Sequence, residues 1–102
     1  MSGWLYILEC SDGSYYVGST RNIEHRISQH IIGKGSKYTA KRKPVKLVFA
    51  CEFPTITEAY NLEKQVQGWS HAKREALIRA EFDKLPELAR KNWVKYFNKI
   101  GD

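Results

Sequence analysis

Two tyrosines, an arginine, a histidine and a glutamate stand at spacings that let them act together on one reaction. Tyr16 follows Tyr6 by ten residues, Arg26 follows Tyr16 by ten, and His30 lies about one helical turn beyond Arg26. Glu63 sits in a later amphipathic segment. Hydrolysis of a phosphodiester needs an activated water, a cation to neutralise the non-bridging oxygens, and stabilisation of the departing alkoxide. Two phenols, a guanidinium, an imidazole and one carboxylate able to bind Mg²⁺ supply those roles with few parts. A lone carboxylate argues for a single ion, because a two-metal clamp takes several acidic ligands. Taken singly, each residue has an ordinary structural role: tyrosine in a half-buried strand, a solvated arginine, a core-edge histidine, a glutamate paired near Lys64, with Arg26 or with Lys73. Only the set points to chemistry.

Positioning that set requires a strand, a turn and two helices in the right order. WLYILEC (Trp4–Cys10) is almost continuously apolar and ends at SDGS, whose Asp12-Gly13 pair signals a hairpin. YYVGS (Tyr15–Ser19) is the returning strand, and strand alternation puts Tyr6 with Trp4 and Leu8, and Tyr16 with Gly18. Gly18 removes a side chain where something can approach the backbone closely, although a bulge uses glycine equally well. Ile23, Ile27 and Ile31 predict a helix whose stripe faces the sheet, with Thr20 and Asn22 as competing caps and Arg26 and His30 on one flank. After Pro44, VKLVFACEF (Val45–Phe53) reads as a third strand. A second helix follows with Thr57 as its cap and a stripe of Ala59, Leu62, Val66 and Trp69, which leaves Glu63 at an apolar margin. Ser70 caps a third helix over His71–Phe82, and Ala89, Trp93, Phe97 and Ile100 form the stripe of a last one, able to close the core or to meet a second subunit. The expected fold is α/β: one small domain with a three-stranded antiparallel sheet flanked by helices. Residues 1–83 form its body and 84–102 a C-terminal helix packed on the same domain.

The 102 residues carry a net charge of +6, from 17 basic against 11 acidic side chains. About a third of the bases fall in GKGSKYTAKRKPVK (Gly33–Lys46), which contains no acid. Such a patch attracts a polyanion through its field and through counterion release. Nucleic acid, DNA or RNA, is the leading partner class; a solvated loop that aids solubility is the bland reading. Lys34, Lys37, Lys41, Arg42 and Lys43 would hold backbone phosphates, and Tyr38 would stack on an exposed base. Cys10 and Cys51 lack metal-ligand spacing and read as small buried hydrophobes in a reducing compartment. No run approaches a membrane span and the first residues lack a secretory pattern, so a cytoplasmic, non-membrane protein is expected.

The motifs also carry a resemblance. Trp4-Leu5-Tyr6 and Tyr16-Val17-Gly18, joined across SDGS, then YVGSTRNIEHRISQH, GKGSKYT, RKPVKLV and EAYNLEKQVQGW, resemble the successive blocks of the GIY-YIG nuclease superfamily. Within it they are similar to small stand-alone bacterial GIY-YIG proteins of the UPF0213 type and to the catalytic domain of structure-specific endonucleases. The resemblance covers roughly residues 3–80 and implies the GIY-YIG endonuclease fold. It implies a Mg²⁺- or Mn²⁺-dependent endonuclease leaving a 5′-phosphate and a 3′-hydroxyl. Glu63 would bind the metal, Tyr6 activate water, Tyr16 orient water or phosphate, and Arg26 neutralise the phosphorane. His30 would relay a proton or ligate phosphate, and Gly18 would be the motif glycine. Two positions depart from the pattern: Trp4-Leu5 replaces the leading Gly-Ile, and Ser19 stands where one branch has a lysine. The activity expected is cutting of branched, nicked or single-stranded DNA in repair or recombination, by a monomer or homodimer with a possible targeting partner. The alternatives are a nucleic-acid-binding module with little or no turnover, and an RNA-acting nuclease.

Overall fold

The computed structural model describes residues 2–81. Its first two strands, β1 (Gly3–Glu9) and β2 (Tyr15–Thr20), form an antiparallel hairpin, with Tyr6 opposite Gly18 and Leu8 opposite Tyr16. The turn is held by Asp12, whose Oδ1 accepts from the backbone N–H and the hydroxyl of Ser14. The third strand, β3 (Lys46–Phe53), pairs antiparallel with the other side of β1. The sheet order is therefore β2-β1-β3, with the apolar β1 at its centre and β2 and β3 at its two sides among the described residues.

Helices cover both faces. Leu5, Ile7, Val17, Phe49, Cys51 and Phe53 pack with Ala59 and Val66 of α3 (Ile56–Gln67) and with Ala76 and Leu77 of α4 (His71–Ile78) in one core. Alternation sends Tyr6 to the opposite face, where it meets His30 of α1 (Ile23–Ile31) and, beyond it, Thr39 of the one-turn helix α2 (Lys37–Ala40). Three of the four helices that the structure describes have a hydroxyl at the N-cap: Ser36, Thr55 and Ser70 each accept a backbone N–H three residues on, and Asn22 does the same for α1 through its amide oxygen.

The α/β class, the three-stranded antiparallel sheet and the flanking helices match the sequence expectation. Four local readings change. Asn22 caps α1, ahead of Thr20. The isoleucine stripe does not hold, because Ile31 is 58% exposed while His30 is fully buried; the inward face runs Ile23, Ile27, His30, at helical spacings of four and three. Thr55, not Thr57, caps α3, and α4 ends at Ile78, short of Phe82. The helix expected over 84–102, with Trp93, Phe97 and Ile100, lies outside the described residues.

Candidate active site

Four aromatic rings gather on the α1 side of the sheet. The Tyr6 hydroxyl lies 2.9 Å from His30 Nε2, and His30 Nδ1 lies 2.8 Å from Thr39 Oγ1. Tyr16 stands 5.1 Å from the His30 ring and 6.4 Å from Tyr6, centroid to centroid, and Tyr38 adjoins Tyr16 at 6.1 Å. The approach is close enough that two positions admit only glycine: a Cβ at Gly18 would collide with the Tyr6 hydroxyl, and one at Gly35 with the His30 ring. Gly18 is thus a packing requirement of the tyrosine opposite it in the hairpin.

The protons of this cluster follow from its bonds. Thr39 Oγ1 reaches the carbonyl of Ser36 as a donor and shares a contact with the Ser36 hydroxyl. With Thr39 Oγ1 assigned as that donor, it accepts from His30 Nδ1–H and Nε2 accepts from the Tyr6 hydroxyl; the other tautomer reverses both bonds. Burial, and then the Arg26 charge, hold His30 below its ordinary imidazole value. Tyr6 is driven well above the ordinary phenol range, first by burial and then by Tyr16, with Arg26 opposing and Glu63 adding a little. Both groups are accordingly neutral near pH 7. Tyr6 is 2% exposed and His30 0%, whereas Tyr16 and Arg26 are half-buried. Tyr16 and Arg26 are therefore the more accessible members of the set.

Glu63 stands apart from the rings. Its carboxylate, on α3, reaches the edge strand from the other face: Ser19 Oγ donates to Oε1 at 2.6 Å and Gln67 Nε2 to Oε2 at 2.9 Å. Lys64 Nζ is 3.9 Å from Oε2. Gln67 Nε2 also donates to the Val17 carbonyl at 3.2 Å, which ties α3 to β2. Of the five residues singled out, Tyr6, Tyr16 and His30 are in contact, Arg26 and Glu63 lie within electrostatic reach of Tyr6, and Glu63 comes to β2 from the α3 side, apart from the rings. Among the described residues no group of three or more His, Cys, Asp or Glu is placed to hold a metal. A single carboxylate oriented by two donors suits a hard cation that keeps its waters and takes substrate phosphate as a further ligand. It does not suit a resident cage.

Of the cationic residues, Lys34, Lys37, Lys41 and Lys43 are exposed. Arg42 is engaged: its Nε donates to Asp12 at 3.1 Å, its Nη1 to the Tyr38 carbonyl at 3.0 Å, and its guanidinium lies 3.7 Å over the Tyr38 ring. That geometry braces the Tyr38 ring. Thr39, Gly35, Ser36 and Gln67 are participants that motif reasoning passed over. Gln67, four residues after Glu63 on the same helix face, was the most accessible to it. Cys10 and Cys51 are buried free thiols away from this cluster, with burial pushing Cys51 up to about 12. Among the described residues no helix is long and apolar enough to cross a membrane.

Comparison with known proteins completes the description. The model of the GIY-YIG catalytic domain matches residues 2–76. A UPF0213 protein of Halalkalibacterium halodurans is 45% identical over 78 residues, covering 76% of this chain and 83% of that protein. A UPF0213 protein of Streptococcus pneumoniae is 39% identical over 94 residues, covering 92% of this chain and 88% of that protein. Among solved structures, the solution NMR structure of the UPF0213 protein from Bacillus halodurans is similar with a TM-score of 0.53 and 44% identity, over 78% of this chain and 85% of that chain.

Proposed function

The chain belongs to the GIY-YIG family, and on that premise we propose that it is a nucleic-acid-binding domain that seats a backbone phosphate against Tyr16 and Arg26. Divalent-ion-dependent hydrolysis of that phosphodiester is the finer part of the same reading. The observation that carries it is the gathering of Tyr6, Tyr16 and His30 into one contact cluster beside a half-buried arginine. A packing role alone gives no reason to spend two phenols, an imidazole and two obligatory glycines on one spot.

The roles suggested by resemblance shift with the burial. Tyr6, almost wholly enclosed and hydrogen-bonded to a neutral imidazole, is poorly placed to deprotonate water directly. It acts as a positioning residue that, with His30, fixes the Tyr16 ring. Tyr16 is the phenol that meets the phosphate and its attacking water, and Arg26 neutralises the non-bridging oxygens. Glu63, oriented by Ser19 and Gln67, would hold Mg²⁺ or Mn²⁺; such an ion, when bound, supplies the Lewis acid and the lowered water pKa that this chemistry needs. With one carboxylate and the His30 imidazole fully buried, turnover is expected to be slow, and a binding domain without turnover is the reading that the buried Tyr6–His30 pair favours next.

A substrate panel separates these outcomes. Anisotropy at rising salt is measured on single-stranded, flapped, forked and four-way DNA and on RNA, and cutting is scored with Mg²⁺ and Mn²⁺. Cutting by wild type that Glu63→Ala abolishes, with salt-sensitive binding retained, supports the nuclease. Binding without cutting leaves the binding domain. Absence of salt-sensitive binding to every strand ends both.

A further inference from the structure

A groove of about 290 Å³ runs along β2, beside the ring cluster, lined by Tyr15, Tyr16, Val17, Tyr38, Gln67 and Arg74. It draws from both faces of the sheet: Tyr16 and Tyr38 from the α1 side, Gln67 and Arg74 from the α3 side. Two of its members belong to the machinery already described. Tyr16 touches His30 by ring contact, and Gln67 holds Glu63. Its volume, near the lower end of the roughly 300–1,000 Å³ of small-molecule sites, suits a single ring system and not a duplex.

The lining is equipped for a flat heterocycle. Arg42 covers one face of the Tyr38 ring at 3.7 Å and is itself pinned by Asp12, so Tyr38 is held in place at the groove wall, 37% exposed, with the Tyr16 ring tilted beside it at 6.1 Å. Polar edges are available as well. Arg74 donates Nε to the Val66 carbonyl at 3.1 Å and Nη2 to the Gln67 carbonyl at 2.6 Å, which holds its guanidinium at the groove wall. Gln67 spends its Nε2 on Glu63 and Val17 and leaves its side-chain oxygen as an acceptor. The Val17 carbonyl is turned outward to Gln67, and in an antiparallel strand the N–H of that residue points the same way.

From this we infer that the groove is a subsite for one unpaired nucleobase, stacked on Tyr38 and edged by Gln67 and Arg74, immediately next to the phosphate at Tyr16. The inference rests on the nucleic-acid reading above and narrows its substrate class to strands that can turn a base out of a helix. Stacking on an aromatic ring contributes about 1–3 kcal/mol per base, a factor of roughly 5 to 150 in affinity.

The test uses the full chain in EDTA, so that nothing is cut. The probes are short oligothymidylate and oligouridylate strands carrying one 5-iodouracil, the same strands paired into duplexes, and strands with an abasic unit at that position. Irradiation is expected to crosslink the single strands to Tyr38 or Tyr16 and to spare the duplexes. The abasic strand, and Tyr38→Leu on the intact strand, should each bind about tenfold more weakly, with Tyr38→Trp restoring affinity. Tyr38 is 37% exposed, so its replacement leaves the core intact, and circular dichroism verifies this. Crosslinking of DNA alone or RNA alone assigns the sugar. Salt-sensitive binding with equal affinity for abasic and intact strands and for Tyr38→Leu overturns the subsite while the binding domain stands. Absence of any strand binding overturns both.

Discussion

Ser19 Oγ donates to Glu63 Oε1 at 2.6 Å across 44 residues of sequence. This bond changes the meaning of a position where the sequence drew notice for lacking a lysine. The serine does not stand in for a cation; it fixes the carboxylate, with Gln67 holding the other oxygen. A carboxylate that is 8% exposed needs such donors. Ser19→Ala is expected to cost about 1–3 kcal/mol in urea unfolding, the range for a hydrogen bond to a charged group. Ser19→Thr should recover most of it. On the proposed metal role, Ser19→Ala also weakens Mn²⁺ binding in the presence of substrate by roughly tenfold or more, read by water-proton relaxation.

The Tyr6–His30 pair predicts a pH dependence with a definite sign. His30 is held below its ordinary value near 6.5, mainly by burial. Above about pH 6.5 folded and unfolded chains both carry it neutral. As the pH falls below that, the unfolded chain takes up a proton that the native one refuses, so stability declines until the lower native value is passed. Urea midpoints at pH 7.5 and pH 5 should therefore differ more in wild type than in His30→Gln. Equal differences would show that His30 protonates freely in the fold. Tyr6→Phe, which strands Nε2 in a buried site, is expected to destabilise by about 1–3 kcal/mol and to couple with His30→Gln in a double-mutant cycle.

Gly18 supplies the steric counterpart. A methyl group there would occupy the space of the Tyr6 hydroxyl, so Gly18→Ala must push the ring off His30. The expected loss is about 1–3 kcal/mol, the range for overpacking a filled site. Pairing Gly18→Ala with Tyr6→Phe, which vacates the hydroxyl oxygen but leaves the ring carbon Cζ in the way, should return only part of it. A gain in stability for Gly18→Ala alone, as reduced chain entropy would produce, would contradict the geometry.

Much of this arrangement was legible before the fold. Alternation in the hairpin, the Asp12-Gly13 turn and the caps at Ser70 and Asn22 are local signals, each with a local cause, and they survive. The orientation of α1 was not legible. Three isoleucines at helical spacing outweigh one histidine in any periodicity count, yet Ile31 is turned to solvent because Tyr6 and Thr39 offer His30 two hydrogen bonds in the interior. Those partners come from a strand 24 residues earlier and a helix 9 residues later, which no window spans. α2 has only four residues and no apolar stripe, so it hid inside the basic loop. The cap of α3 went to Thr55 because Thr55-x-x-Glu58 has the capping spacing, a signal that Thr57 obscured. Arg42 read as one more cation in a run, and only the fold brings Asp12 to it.

The division of labour within that run makes the last prediction. Lys34, Lys37 and Lys41 are exposed, and neutralising each phosphate contact they make contributes nearly one unit to the slope of log affinity against log salt. Lys37→Ala and Lys41→Ala are expected to lower affinity uniformly across substrates and each to flatten that slope by about one. Arg42 is expected to behave differently, since its Nε is engaged by Asp12, its Nη1 by the Tyr38 carbonyl and one face by the Tyr38 ring. Arg42→Ala should leave the slope nearly unchanged and lower affinity for single strands more than for duplexes, because it releases Tyr38. Asp12→Asn should show the same pattern in weaker form, since Asp12 has its carboxyl held below the ordinary range chiefly by Ser14 and only secondarily by Arg42. Salt titrations of the four variants on matched single-stranded and duplex oligonucleotides separate the two classes, and a flattened slope for Arg42→Ala would return it to the phosphate contacts.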